Sequence, residues 1–216
     1  MATIENERLA TQFGALQAQR ERAWTPDQLA ANARQRSALR DRFDAAAVAQ
    51  PGTVLPDLRF ADVDGGEIQL GDLVANGPAV VLVFRFEGCP ACNIALPHYA
   101  AQLHPALEKR GIPLIAVSPQ QHDRLRAIKV RHDLPFPVAT DQNNRLSHLL
   151  GITFEPDDRP SPPPAGWIGE VTGTGTWELP QPAVLVIGPG LAIQHLHVSP
   201  DWLDRLEADE ILALLS

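Results

Sequence analysis

"AVVLVFRFEGCPACN", residues 79–93, decides how the rest of the chain folds. Its first half, residues 79–86, is a near-continuous apolar, β-branched run, the pattern of a strand covered on both faces. Its second half holds both cysteines of the 216-residue chain, Cys89 and Cys92, with Pro90 directly after the first. Proline suits the first turn of a helix, where its missing N–H is not needed. The stretch therefore predicts a buried strand, a turn, and a helix whose first turn carries both thiols.

Downstream, Leu96, Tyr99, Leu103 and Leu107 recur at helical spacing, and the basic end Lys109-Arg110-Gly111 stops a helix predicted over 90–109. "IPLIAVS" (112–118) is a second buried strand, which completes a strand-helix-strand unit. A helix over 120–132, a strand at 136–140 and a short helix ending at Gly151 continue the alternation. Upstream, "TVLPDLRF" and "EIQL" flank Asp64-Gly65-Gly66 and read as a hairpin. Residues 183–188 and 191–198 read as an antiparallel hairpin about Gly188-Pro189-Gly190, followed by a C-terminal helix in 207–215. The Pro- and Gly-rich stretch 152–182 is expected to be a long irregular insertion. No internal repeat is visible.

Residues 1–50 form a different texture. Between residues 4 and 47 Ala, Arg, Gln and Glu dominate, Leu9, Phe13 and Leu16 keep helical spacing, and Thr25-Pro26 supplies an N-cap and first helical position. Two helices are expected there, as a solvated arm or a dimer arm without chemistry, ahead of a redox domain over 51–216. Such an arm would allow a homodimer.

The formal charge of -8 disfavours the clustered Lys and Arg footprint of a nucleic-acid binder, and no nucleic-acid partner is expected. The first ten residues carry charges and no apolar core, and 18 consecutive apolar residues occur nowhere, so neither a signal peptide nor a membrane span is expected. A cytoplasmic location follows as an expectation. In a reducing cytosol, close cysteines serve catalysis or metal binding more often than structural bridging.

At a helix N-terminus, unpaired N–H groups and the helix dipole stabilise a thiolate, and such cysteines fall in pKa from about 8.5 to between about 3.5 and 7.5. A second cysteine three residues on lies within one turn and can resolve an oxidised first sulfur. Arg85 on the strand can add positive potential, or it can face solvent or pair with Glu87. Cys89 is the expected attacking thiol and Cys92 the resolving one, because Cys89 lies nearer the free helix end. Two rival readings exist. Zinc would need Cys89, Cys92, His98 and His104, but the spacing is too short and the two histidines fall on different helix faces. Two inert buried thiols would suit the apolar surroundings. His195 and His197 share one face of the last strand without a third ligand in register and support no assignment.

With these residues in place, the chain resembles the peroxiredoxin-like proteins of the alkyl hydroperoxide reductase and thiol-specific antioxidant group. The resemblance rests on "LPDLRFADVDGGEIQLGDL", "FRFEGCPACN", "IPLIAVSPQ", "LPFPVATDQNN", "WELPQPAVLVIGPG" and "RLEADEIL", in that order. "ALQAQRERAWTPDQLAANARQR" is similar to the helical leader of one subgroup. The resemblance implies an α/β thioredoxin-like fold, a central mixed β-sheet flanked by helices, with a helical N-terminal arm. Pro97 is similar to the proline inside the thioredoxin active-site helix. Pro182 matches the cis-proline that faces the CxxC there, so a cis Gln181–Pro182 bond is expected. The family's PxxxTxxC motif places Cys89 at the threonine position, Cys92 at the peroxide-attacking cysteine and Pro182 where an arginine is usual.

What the resemblance implies is reduction of a hydroperoxide through the Cys89/Cys92 couple, with Pro182 and Arg85 in support and an external thiol reductant, such as a thioredoxin-type donor, closing the cycle. The cycle requires no metal or organic cofactor. Protein disulfide reduction is the second implied activity, and a redox-sensing module without turnover is the third. The 152–182 insertion would act as a lid or partner surface near the cysteines.

Overall fold

The computed structural model describes residues 7–157 and 159–215. Two helices, α1 (Leu9–Ala23) and α2 (Pro26–Arg42), lead to the hairpin β1 (Arg59–Asp62) and β2 (Glu67–Gln69), then α3 (Leu70–Leu73) and β3 (Ala79–Val83). After β3 come α4 (Pro90–Gln102), α5 (His104–Lys109), β4 (Leu114–Ser118), α6 (His122–Arg131), β5 (Val138–Thr140) and α7 (Arg145–Leu150). The chain ends with β6 (Thr153–Phe154), α8 (Ile168–Thr172), β7 (Leu179–Pro180), β8 (Ala183–Ile187), β9 (Ile193–Val198) and α9 (Ala208–Ala213).

The main sheet runs β2-β1-β5-β4-β3-β8-β9. β3, β4 and β5 are parallel neighbours, and the remaining pairings are antiparallel. Every residue of β3, β4 and β8 is buried. Alternation sorts them: Val80, Leu82, Ala116, Val184 and Val186 face a core shared with α1, α4, α6 and α9, whereas Val81, Val83, Ile115, Val117 and Leu185 face a core with α3 and α7. A strand sandwiched this way has no polar face to offer, which is why its sequence shows no alternation. Among the described residues no helix is long and apolar enough to cross a membrane.

Four expectations need correction. The helix expected over 90–109 breaks at Leu103, because Pro105 has no N–H to continue the ladder and disfavours helical backbone at His104. The 152–182 stretch is not wholly irregular: β6 and β7 pair antiparallel at its neck, and α8 sits inside it. The arm is not a solvated hairpin. Leu9 and Phe13 are 0% and 3% exposed within the core that holds both cysteines, and burial of such side chains contributes about 1.5 to 3 kcal/mol each. Residues 1–6 of the expected arm lie outside the described residues.

The Gln181–Pro182 bond is trans, and the cis bond is Ser161–Pro162. Gln181 N donates to Ile152 O at 2.8 Å, and Pro182 O accepts from Ser199 N at 2.7 Å. Both contacts anchor the link between β7 and β8.

Candidate active site

The two cysteines stand where the sequence places them. β3 runs out after Val83, Cys89 is the N-cap of α4, and Pro90 is its first residue. The turn between is tied from several sides. Glu87 N donates to Gln120 Oε1 at 2.8 Å, and Asn93 Nδ2 donates to the carbonyls of Glu87 and Cys89 at 2.6 and 2.9 Å. Asn93 Oδ1 in turn accepts from Arg131 Nη1 at 2.8 Å and lies 2.8 Å from His132 Nε2. Backbone bonds from Cys92 N and Asn93 N to Cys89 O, both 3.0 Å, close the first helical turn.

Both thiols are free, and their sulfurs lie 2.9 Å apart. Less than about 1 Å of approach separates them from a disulfide bond length. Neither is accessible: Cys89 is 1% exposed and Cys92 is 0%. Nearness to the helix end therefore gives Cys89 no access to solvent.

Arg205 Nη2 lies 3.5 Å from Cys92 Sγ, and the backbone N–H of Arg85 lowers the thiol value from the strand side. Distance alone allows either thiol to donate across the pair. The Arg205 guanidinium beside Cys92 gives a thiolate there a direct hydrogen-bonded countercharge, which favours Cys92 as the acceptor. Burial alone pushes Cys92 up, but the Cys89 S–H, the charge and N–H of Arg205 and the Arg85 N–H outweigh it and hold Cys92 well below the ordinary thiol value. Donation to Cys92, burial and repulsion from its charge raise Cys89 well above that value.

Arg85 does not pair with Glu87, whose carboxylate takes Arg131 at 2.9 Å instead. Its guanidinium lies 4.6 Å from the Trp202 ring and 5.6 Å from Phe154, geometry in which ring quadrupoles replace water around a cation. Arg85 Nε and Arg20 Nη1 are buried without a hydrogen-bond partner. Arg20, on α1, interacts electrostatically with Cys89 and Arg85, so the arm contributes a cation to the site. Pro182 meets Arg205, Tyr99 and Ser199 around a cavity of about 10 Å³, room for one water-sized molecule. A much larger cavity of about 570 Å³, beside Gln121, Thr140 and Gly173, touches neither sulfur; the site is assigned by its nucleophiles, not by volume.

Sequence reasoning missed Arg205, Trp202, Arg20 and Phe13. Arg205 lies 113 residues from Cys92, and no spacing rule links them; "RLEADEIL" carried resemblance without a role. The insertion does come close to the turn: Phe154 stacks on Arg85, and α8 receives Gln120 Nε2 at Val171 O, 3.2 Å away. The zinc alternative does not assemble. His98 faces Glu207 and Gln12, His104 packs on Phe136, and among the described residues no group of three or more His, Cys, Asp or Glu side chains could hold a metal.

A buried CxxC at the start of a helix, fed by a central strand of a mixed sheet, has matches among known proteins. Residues 51–196 match the AhpC/TSA family. The chain belongs to that family. Peroxiredoxin bcp1 of Schizosaccharomyces pombe is 24% identical over 102 residues, 47% of this chain and 52% of that protein. The chain thus spans about half the length of the curated relative it matches. Among solved structures, reduced Prx3 of Vibrio vulnificus in complex with H2O2 superposes with a TM-score of 0.61 at 18% identity, over 78% of this chain and 99% of that one. A mutant of peroxiredoxin 6 from Arenicola marina gives 0.61 at 23% identity, over 78% and 73%. These likenesses establish a peroxiredoxin-like thioredoxin fold. Arg205 brings a guanidinium to the Cys92 sulfur from a segment 113 residues further along the chain.

Proposed function

We propose that this AhpC/TSA protein is a thiol peroxidase in which Cys92 is the attacking thiolate and Cys89 the resolving thiol. The observation that carries the reading is the donor set around Cys92 Sγ: Arg205 Nη2 at 3.5 Å, the Arg85 N–H, and Cys89 Sγ at 2.9 Å. The assignment reverses the order expected from helix position alone.

The Cys92 thiolate attacks the distal oxygen of a hydroperoxide, the O–O bond breaks, and the leaving alkoxide or hydroxide takes one proton from solvent water; Cys92 becomes a sulfenic acid and the peroxide an alcohol or water. Cys89 sulfur then attacks the Cys92 sulfenic sulfur, the S–O bond breaks, and water leaves with the Cys89 proton. An external thiol donor, of thioredoxin or glutathione type, supplies the two electrons that reopen the disulfide. Because both sulfurs are buried, peroxide entry needs local opening of the site, and bulky protein disulfides are poorer substrates than small peroxides. Pro182 lines the cavity beside Arg205, and Arg85 supplies the N–H and flanking charge.

The decisive experiment mixes fully reduced protein with hydrogen peroxide or an alkyl hydroperoxide and follows thiol loss against free cysteine. A second-order rate orders of magnitude above the control, retained in Cys89→Ser and lost in Cys92→Ser, is expected. A rate near the control sinks the peroxidase reading, and loss in Cys89→Ser alone restores Cys89 as the attacker.

A further inference from the structure

The segment that delivers Arg205 has little regular structure of its own, and the helical arm grips it at both ends. At its start the Asp201 carboxylate, 4% exposed, accepts Arg36 Nε and Nη2 at 2.7 Å each and Arg40 Nη1 at 2.6 Å, all from α2. The same carboxylate accepts the Leu203 N–H at 3.0 Å. At the far end Glu207 accepts the N–H groups of Leu9 and Ala10, the first turn of α1, at 2.9 and 3.0 Å. Between these two clamps sit Trp202, under Arg85, and Arg205, beside Cys92. Arg205 Nε also donates to the Trp202 main-chain carbonyl at 3.0 Å, which ties the Arg205 side chain to the turn that carries Trp202.

The Asp201 clamp has the chemistry of a fixed joint. A planar guanidinium bound through two parallel N–H···O contacts sets orientation as well as distance. Burial pushes the Asp201 carboxyl up, yet the Arg36 fork, the Leu203 N–H and the Arg36 and Arg40 charges hold it below the ordinary carboxylate value. The joint therefore stays ionised at neutral pH. On the loop side, Leu203 N–H binding to Asp201 carries its orientation directly into the turn that presents Trp202 and Arg205.

We infer that Asp201, gripped by Arg36 and Arg40, is a positioning residue: it ties the helical arm to the segment that carries Arg205 and fixes that guanidinium against the Cys92 sulfur. The inference rests on the reading of Cys92 as the attacking thiolate, and it gives the arm a part in the chemistry.

The test titrates the Cys92 thiolate by its ultraviolet absorbance in the full chain carrying Cys89→Ser, so that only one thiol responds. Asp201→Asn is expected to raise the titration midpoint by about one pH unit, a roughly tenfold smaller thiolate fraction near neutral pH. Arg40→Gln removes a single contact from a side chain that is 52% exposed, so it tolerates change if Asp201→Asn does not fold; a smaller rise of the same sign is expected. In an Arg205→Gln background neither substitution should move the midpoint further, a result that a purely structural role would not give. Unchanged midpoints in both variants, or equal rises with and without Arg205, overturn the inference. If the parent thiol itself titrates at the ordinary value of about 8.5, the reading of Cys92 falls and the positioning role falls with it. A low parent midpoint that the variants leave in place removes the positioning role alone.

Discussion

The turn Arg85–Asn93 and the segment Ser199–Glu207 meet at one sulfur, but they are held in opposite ways. The turn is fixed locally: a buried strand feeds it, α4 begins inside it, and Asn93 and Gln120 bond its backbone. The segment depends on distant partners, Arg36 and Arg40 of α2, the first turn of α1, and the Tyr99 hydroxyl that donates to Leu206 O at 2.7 Å. The nucleophile is thus built by short-range structure, and its electrostatic environment by long-range contacts. Perturbing the first should remove chemistry, and perturbing the second should retune it.

The largest effect expected is at the turn itself. Cys92→Ser should lower the rate of peroxide consumption at least about a thousandfold, equivalent to about 4 kcal/mol of transition-state stabilisation. Cys89→Ser should leave the first oxidation within several-fold and trap a sulfenic acid, seen as one added oxygen in the mass. Equal loss in both variants would break the division between attacking and resolving thiols.

Next in size is the arm's packing. Phe13, 3% exposed, lies on α1 with its ring 5.8 Å from the Arg205 guanidinium carbon. Phe13→Ala should cost about 3 kcal/mol in denaturant unfolding, and it should also slow peroxide reduction by loosening Arg205. Lost stability with an unchanged rate would show that the arm braces the core without touching the chemistry.

Arg205→Gln comes third, with a roughly tenfold slower reaction at neutral pH, about 1.4 kcal/mol, that recovers as pH rises. The sign follows from the lowered folded value of Cys92. A group depressed in the fold contributes stability above its unfolded value, and that contribution is lost as pH falls through the folded value. The reduced protein should therefore gain stability over Cys92→Ser between the depressed Cys92 value and about 8.5, and Arg205→Gln should shrink that gain. A flat difference across this range would place the countercharge elsewhere.

The same contrast explains what the chain disclosed before folding. Residues 79–93 were legible because burial on both faces and a proline at a helix start leave local marks. The hairpin at Asp64-Gly65-Gly66 and the order of strands and helices followed for the same reason. Arg205, Asp201 and Arg20 were not legible, because an arginine that pairs across the molecule looks like one that faces water. Charge-rich α1 and α2 hid their docking in the same way: Leu9 and Phe13 are few among polar neighbours, yet both enter the core. The Gln181–Pro182 bond is trans where the resemblance implies cis, and its neighbours are anchored by Ile152 and Ser199, neither adjacent in sequence.

The smallest effect sharpens the comparison at the Glu207 clamp. His98 Nδ1 lies 3.2 Å from Gln12 Nε2; with the amide donating, the ring proton sits on Nε2, which is buried without a hydrogen-bond partner 3.6 Å from Glu207. Burial lowers the His98 value, and the nearby Arg8 lowers it further, against the opposing pull of Glu207 and Asp209. A histidine lowered in the fold binds fewer protons folded than unfolded, so its contribution is whole above about 6.5 and is lost as pH falls through that value towards the folded one. The protein should lose under about 1 kcal/mol more stability than His98→Gln between neutral and mildly acidic pH. Because α1 begins on Glu207, the protection factors of the Leu9 and Ala10 amides, corrected for the intrinsic pH dependence of exchange, should fall in the same range. If acid instead protects those amides, protonated His98 binds Glu207 strongly enough to outweigh its burial, and acid tightens the arm.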